Sequence, residues 1–201
     1  MYLLTETASP FALERWAAFF ANFGQFAKGF FYTLGISIGA LIVALLLGLI
    51  FGAMSSTHNK VLRGISRVYV EIFQNTPLLV QFVVVFYGIS ILTDGHIMIP
   101  ISLTAILCVG VYTGAYISEI IRTGIEAVPK GQTEAALSQG FTYADTMRII
   151  ILPQAVRTIL PPLTNQVVNL IKNTSTVAII SGADIMFTAT VSYTHLTLPT
   201  T

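Results

Sequence analysis

Charge is what this sequence has least of. Of its 201 residues only 9% are Asp, Glu, Lys or Arg, against 54% that are apolar, where a soluble domain is roughly a quarter charged. The mean hydropathy of +0.78 agrees. So little charge excludes an ordinary water-soluble domain, and so much apolar surface excludes disorder. Ten Lys and Arg against nine Asp and Glu leave a formal net charge of +1. That excludes a module built to neutralise nucleic-acid phosphates. Cysteine is nearly absent as well. Cys108 alone cannot close an internal disulfide, and its apolar surroundings read as those of a small buried hydrophobe. His58, His96 and His195 are too scattered to suggest a metal site. No Gly-rich loop followed by Lys and Ser or Thr is present to cradle a nucleotide. What remains is an integral membrane protein.

Three charge-free runs, residues 29–57, 72–93 and 95–118, each exceed the roughly 20 residues that a helix needs to cross a bilayer. A fourth, diluted by Asn165, Gln166 and Asn169, follows Leu152-Pro153. The spans are placed at about 30–54, 68–92, 100–121 and 154–172. Lys60, Arg63 and Arg67 fall in the turn after the first span, and Arg122, Lys130, Arg148 and Arg157 in the segment after the third. The turn at Asp94-Gly95-His96 has no Lys or Arg, and only Arg15 and Lys28 precede the first span. By the positive-inside rule the N-terminus lies outside and the segment 122–157 is cytoplasmic.

Residues 1–28 lack the basic start of a signal peptide, because Glu6 and Glu14 precede Arg15. Ser9-Pro10 reads as a helix start, Leu13, Trp16, Ala17 and Phe20 repeat at helical spacing, and Gly24 offers a stop. An extracytoplasmic interfacial helix and a plain leader into the first span both fit. Within that span Ala40, Ala44, Gly48 and Gly52 form a ladder of small residues, with Gly35 and Gly39 as a second pair. Small residues let helices approach closely, so the ladder reads as packing. Asn75-Thr76-Pro77 interrupts the second span, with Thr76 positioned to cap a restarted helix. A pathway lining and a mere kink are both open readings.

The segment 122–153 is too long for a turn and too short for a domain. Gln132 to Gln139 favours a helix with Glu134 in its first turn, and Gly140 is a left-handed stop. Thr142 to Asp145 has capping-box spacing, and a second helix should run from Tyr143 to about Ile151, ending at Leu152-Pro153. Helix, tight turn and helix suit a docking knob; a structural connector is the plainer alternative.

Glu134-Ala135-Ala136, then Gly140, Ile150 and Leu152-Pro153, reproduce at their spacing the EAA signature of ABC importer permeases. The flanks 75–81, 116–125 and 129–132 resemble the polar amino-acid uptake branch, which includes histidine, glutamine, glutamate, arginine and opine importers. The resemblance covers about residues 32–187. It implies an all-α membrane fold of about five helices, in the cytoplasmic (inner) membrane of a prokaryote. It implies a second permease subunit, the same or homologous, two cytosolic ATPases, an extracytoplasmic solute-binding protein and a polar amino-acid substrate. It further implies that Glu134, Ala135, Ala136 and Gly140 insert into a cleft on the ATPase, with Ile150, Leu152 and Pro153 joining the contact to the fourth span. The chain itself is then no enzyme and holds no cofactor, ATP being bound by the partner. The organisation expected is an N-terminal segment 1–28, a permease domain 29–187 and a tail 188–201. The tail is charge-free and departs from the family, so it reads as non-native or disordered. Four of the five helices are then expected.

An ATPase-independent secondary transporter or channel is the alternative. It calls for ionisable residues in mid-membrane, whereas Glu71, Glu119 and Arg122 fall near span ends. A membrane scaffold would need no projecting loop. Asn165, Gln166, Asn169, Lys172 and Asn173 lie within an arc of about 120° on a helix. This stripe is expected to face the bundle interior, as a translocation pathway or as interhelical hydrogen bonding.

Overall fold

The computed structural model describes residue 20, residues 23–180 and residues 182–197. The N-terminal helix expected at Ser9-Pro10 and the last four residues of the tail lie outside these. No strand occurs among the described residues. The helices are α1 (Phe23–Ser55), α2 (Lys60–Asn75), α3 (Leu78–Leu92), α4 (Ile101–Glu126), α5 (Lys130–Ser138), α6 (Tyr143–Asp145), α7 (Leu152–Asn173) and α8 (Ile185–Thr197). Two helices, α1 and α4, are by themselves long and apolar enough to cross a membrane; counting each bent pair as one span gives four.

At 1.5 Å per residue the 33 residues of α1 reach about 50 Å, more than the hydrocarbon needs. One face of α1 packs on α4. Ala40 and Ala44 are fully buried there. A Cβ on Gly48 or Gly52 would run into Ile117 or Ile121 of α4. Gly110 and Gly114 answer from α4, against Val43 and Leu47. The small-residue ladder is thus a seam within one chain. The outer face of α1, with Ile42, Leu46 and Leu49 more than half exposed, is dressed for lipid.

The second span is not one rod. It breaks at Thr76-Pro77, and α2 and α3 meet at 97°. Pro77 cannot donate to the ladder, as expected, but Thr76 does not cap the restart: its hydroxyl donates to the carbonyl of Ile72 (2.7 Å). Gln81 instead satisfies the freed carbonyls of Phe73 and Thr76 (3.1 and 3.0 Å). Lys60, Arg63 and Arg67 also belong to helix rather than to a turn. Asn59 starts α2 by accepting from the amides of Val61 and Leu62 (2.9 and 3.4 Å). One turn of α3, Val84–Gly88, is a π-helix.

Helix α4, the third span, runs five residues past the expected end at 121. Arg122 pairs with both Glu119 and Glu126, one turn away on either side, and these bridges carry the helix beyond its apolar run. The helix expected to stop at Leu152-Pro153 does not stop. A π-helical segment, Thr146–Ile151, leads from α6 straight into α7. Pro153 gives up the main-chain hydrogen bond that its missing N–H would make, and the helical backbone continues through it. Pro161 and Pro162 lie deeper, inside α7.

The chain continues through a 3-10 turn, Thr174–Ile180, to α8. The tail 188–201 was expected to be non-native or disordered; its backbone is instead helical to Thr197. Asp184 starts α8 by accepting from the amide of Phe187 (2.9 Å), and Thr33 of α1 accepts from the amide of Ile185 (3.1 Å). The 13 residues of α8 reach about 20 Å, less than a full crossing.

The seam predicts an asymmetry between glycines of α1. Gly48→Ala should lower stability by about 1–3 kcal/mol through overpacking against Ile117. Gly35→Ala, where a Cβ meets nothing within 4 Å, should be neutral or slightly stabilising. Thermal unfolding in detergent micelles reads both, and equal midpoints would overturn the seam.

Candidate functional site

The helix–turn–helix after α4 is held by its own backbone. Beyond the last turn of α5 the amide of Gly140 donates to the carbonyl of Leu137 (3.0 Å) and that of Phe141 to Ala136 (3.2 Å). These two bonds define a Schellman ending, whose left-handed residue is Gly140 at φ 85°. Thr142 then accepts from the amide of Asp145 (3.2 Å), and its hydroxyl donates to the Asp145 carboxylate (2.6 Å). The capping-box spacing is therefore used, with the carboxylate returning to the hydroxyl rather than to an amide.

The structure does separate the signature residues. Ala136 is buried against the segment Thr146–Ile151, while Glu134, Ala135 and Gly140 are exposed. Helix α5 begins at Lys130, two residues before the expected start. Glu134 consequently stands in the second turn, past the reach of the helix dipole, and its side chain is free to meet a partner. Ile150 is half-buried, whereas Leu152 and Pro153 are exposed at the head of α7. A cavity of about 740 Å³ lies beneath the knob, lined by Glu134, Leu137, Tyr143 and Met147 and, from the turn after α1, by His58. His58 meets Tyr143 edge to face at 5.1 Å. A lone His after a long apolar run gave no sign of this contact in the sequence.

The polar stripe of α7 lies elsewhere than expected. Asn165, Asn169 and Lys172 are exposed, and Gln166 and Asn173 half-buried, so the stripe borders the packed bundle instead of facing its interior. The buried face of α7 is the adjacent one. Ala155 and Leu170 are buried, and Ile159 fills the place where a side chain on Gly124 would sit. Apolar packing against α4 took the interior, leaving the amides on the open flank. Lys172 stands at a groove of about 440 Å³ with Thr33, Thr174 and Asp184.

A second polar space was not foreseen. Arg63, Arg67 and Glu71 of α2 face Ser118, Glu119 and Arg122 of α4 across a cavity of about 360 Å³. Ser118 is buried, and its hydroxyl has no protein partner among the described residues. A hydrated cleft is the physical answer to such a group. The signal was present, since residues 63, 67 and 71 recur at one helical face, but assigning Arg63 and Arg67 to a turn and Glu71 to the span after it hid the pattern.

Comparison with known proteins joins these features. Residues 44–198 match the family model described as binding-protein-dependent transport system inner membrane component. The chain is 41% identical over 173 residues to the "probable glutamine ABC transporter permease protein GlnM" of Bacillus subtilis (strain 168), covering 85% of this chain and 77% of that one. It is 36% identical over 171 residues to the glutamate/aspartate import permease protein GltJ of Escherichia coli (strain K12), covering 80% and 70%. It also superposes on the crystal structure of an amino acid ABC transporter with histidines, at a TM-score of 0.80 and 33% identity, covering 87% of this chain and 80% of that one. The chain belongs to the family of binding-protein-dependent transport system inner membrane components, as a membrane-spanning ABC transporter permease.

Proposed function

We propose that the chain is the translocating subunit of an ATP-driven importer of a polar amino acid, worked by a separate cytosolic ATPase. The observation that carries this reading is the knob at 130–151, a helix–turn–helix fixed by the Schellman ending at Gly140 and the Thr142 cap. Such a rigid projection, presenting Glu134 and Ala135 outward, suits a cleft on a partner better than it suits a slack connector. The relatives named for glutamine and for glutamate/aspartate supply the substrate class.

Lys60, Arg63, Arg67, Lys130 and Arg148 gather at the knob end of the molecule. The positive-inside rule then puts the knob in the cytosol and the N-terminus outside. An extracytoplasmic binding protein delivers the substrate. A second permease subunit covers the exposed stripe Asn165, Asn169 and Lys172, so that the pathway runs between two subunits and not through one. Closure of the ATPase pair draws the knobs together and shifts the permeases between outward-open and inward-open states. Hydrolysis belongs to the partner.

Two predictions test the two halves of this reading. Gly140→Val places a β-branched side chain at φ 85°, a strain of roughly 1 kcal/mol or more. That is too little to unfold the bundle and enough to misdirect α5. The variant should insert normally but lose co-purifying ATPase and ATP-dependent uptake in proteoliposomes, and Glu134→Lys should do the same through the lost partner contact. Wild-type recovery and uptake for both would reduce the knob to a connector.

For the pathway, Asn169→Ala should depress uptake of radiolabelled glutamine, glutamate or arginine while the purified complex keeps its composition. The opposite result, normal uptake by a complex that falls apart, would make the stripe a purely structural interface. Uptake by the wild-type chain without any ATPase would overturn the importer reading itself.

A further inference from the structure

The basic residues of α2, Lys60, Arg63 and Arg67, are exposed, although Arg63 and Arg67 also border the cavity shared with α4. Among the described residues both ion pairs are made by Arg122, so Lys60, Arg63 and Arg67 are bridged to no carboxylate. With Gly64 these three line a pocket of about 290 Å³ formed by α2 alone. At 100° per residue they fall within an arc of about 60°, and Gly64 lies about 40° beyond Lys60. Next on the wheel come Val61, Ile65, Val68 and Ile72, each half exposed or more. Gly64 thus separates a cationic strip from an apolar one. A Cβ built on it meets nothing within 4 Å, so the notch is open.

The carboxylates nearby do not cancel the stripe. Glu119 and Glu126 reach the neighbouring cavity from α4, but both are engaged by Arg122. Glu71 shares the face of the stripe and the cavity with Arg63 and Arg67, but it stands one turn beyond Arg67, is bridged to neither and does not line the pocket at Lys60. A free anion would use the cations and leave the exposed apolar strip beside them unexplained. A molecule with an anionic head and hydrocarbon chains uses both.

We propose that Lys60, Arg63, Arg67 and the notch at Gly64 bind the headgroup of an anionic phospholipid, whose acyl chain lies along Val61, Ile65 and Val68. The site requires only that the chain sit in a bilayer, so it stands or falls separately from the import reading.

The test uses the full chain reconstituted in an equimolar mixture of phosphatidylglycerol and phosphatidylcholine, then extracted in mild detergent, with retained lipids counted by native mass spectrometry. The wild type should retain phosphatidylglycerol in preference. Arg63→Gln with Arg67→Gln should cut that preference by about fivefold per charge removed. Gly64→Leu should cut it as well, by filling the notch with no change of charge, and leucine is a better helix former than glycine there. Arg148→Gln with Arg157→Gln removes two charges elsewhere on the chain and should leave the preference intact. An unchanged preference in either α2 variant overturns the site, and so does an equal loss in the Arg148/Arg157 control. Displacement of phosphatidylglycerol by inorganic phosphate would reveal a free-anion site and overturn the assignment to lipid.

Discussion

Everything in this molecule hangs on how closely α1 and α4 approach each other. Lipid offers no hydrophobic drive for helices to associate, so contact area at short range must supply it. Ala40, Ala44, Gly48 and Gly52 on one side and Gly110 and Gly114 on the other make that area by having almost no side chain. The remaining helices are attached to this pair at identifiable points. The Ser66 hydroxyl of α2 donates to the carbonyl of Phe51 and the Tyr69 hydroxyl to that of Val111, both at 2.7–2.8 Å. Ile159 of α7 occupies the place vacated at Gly124, and the first amide of α8 is received by Thr33. In a low-dielectric surround each such hydrogen bond also relieves a polar group that lipid could not.

Where the sequence carried a local physical signal, it was legible. Charge-free runs located α1 and α4, Pro77 located the break in the second span, and Gly140 and Thr142 marked the turn and cap of the knob. Misreadings came from treating charge as a boundary. Lys60 to Arg67 were assigned to a turn because they are basic, although a helix can carry such residues on one face while its other face stays apolar. In the same way α4 was cut short at its first ionisable residues, which extend the helix by pairing with one another. The flank taken by the α7 stripe was not legible at all. A helical wheel gives the angle between Asn169 and Leu170, but not which of the two faces meets α4 and which is left open.

The extent of the open flank bears on how many chains make a working unit. A bundle whose exposed surface is wholly apolar can sit alone in lipid, but one with Asn165, Asn169 and Lys172 exposed cannot do so without cost. Single-chain packing is complete around the α1–α4 seam and incomplete around α7, which concentrates the need for a neighbour on one side.

The unbroken backbone from Thr142 through α7 has a mechanical side. A π-helical segment joins the knob to the head of the span with no break in the helical backbone, so the two are linked by helix rather than by slack chain. At Pro161 and Pro162 the rod loses two consecutive main-chain hydrogen bonds, those to the carbonyls of Arg157 and Thr158. It is therefore stiff on both sides of a flexure, with a longer arm of roughly 27 Å toward the knob and a shorter one of roughly 16 Å carrying Asn165, Gln166, Asn169 and Lys172. A ladder weakened at that point lets the segment bearing the polar amides change its angle to the segment bearing the knob without either one unwinding.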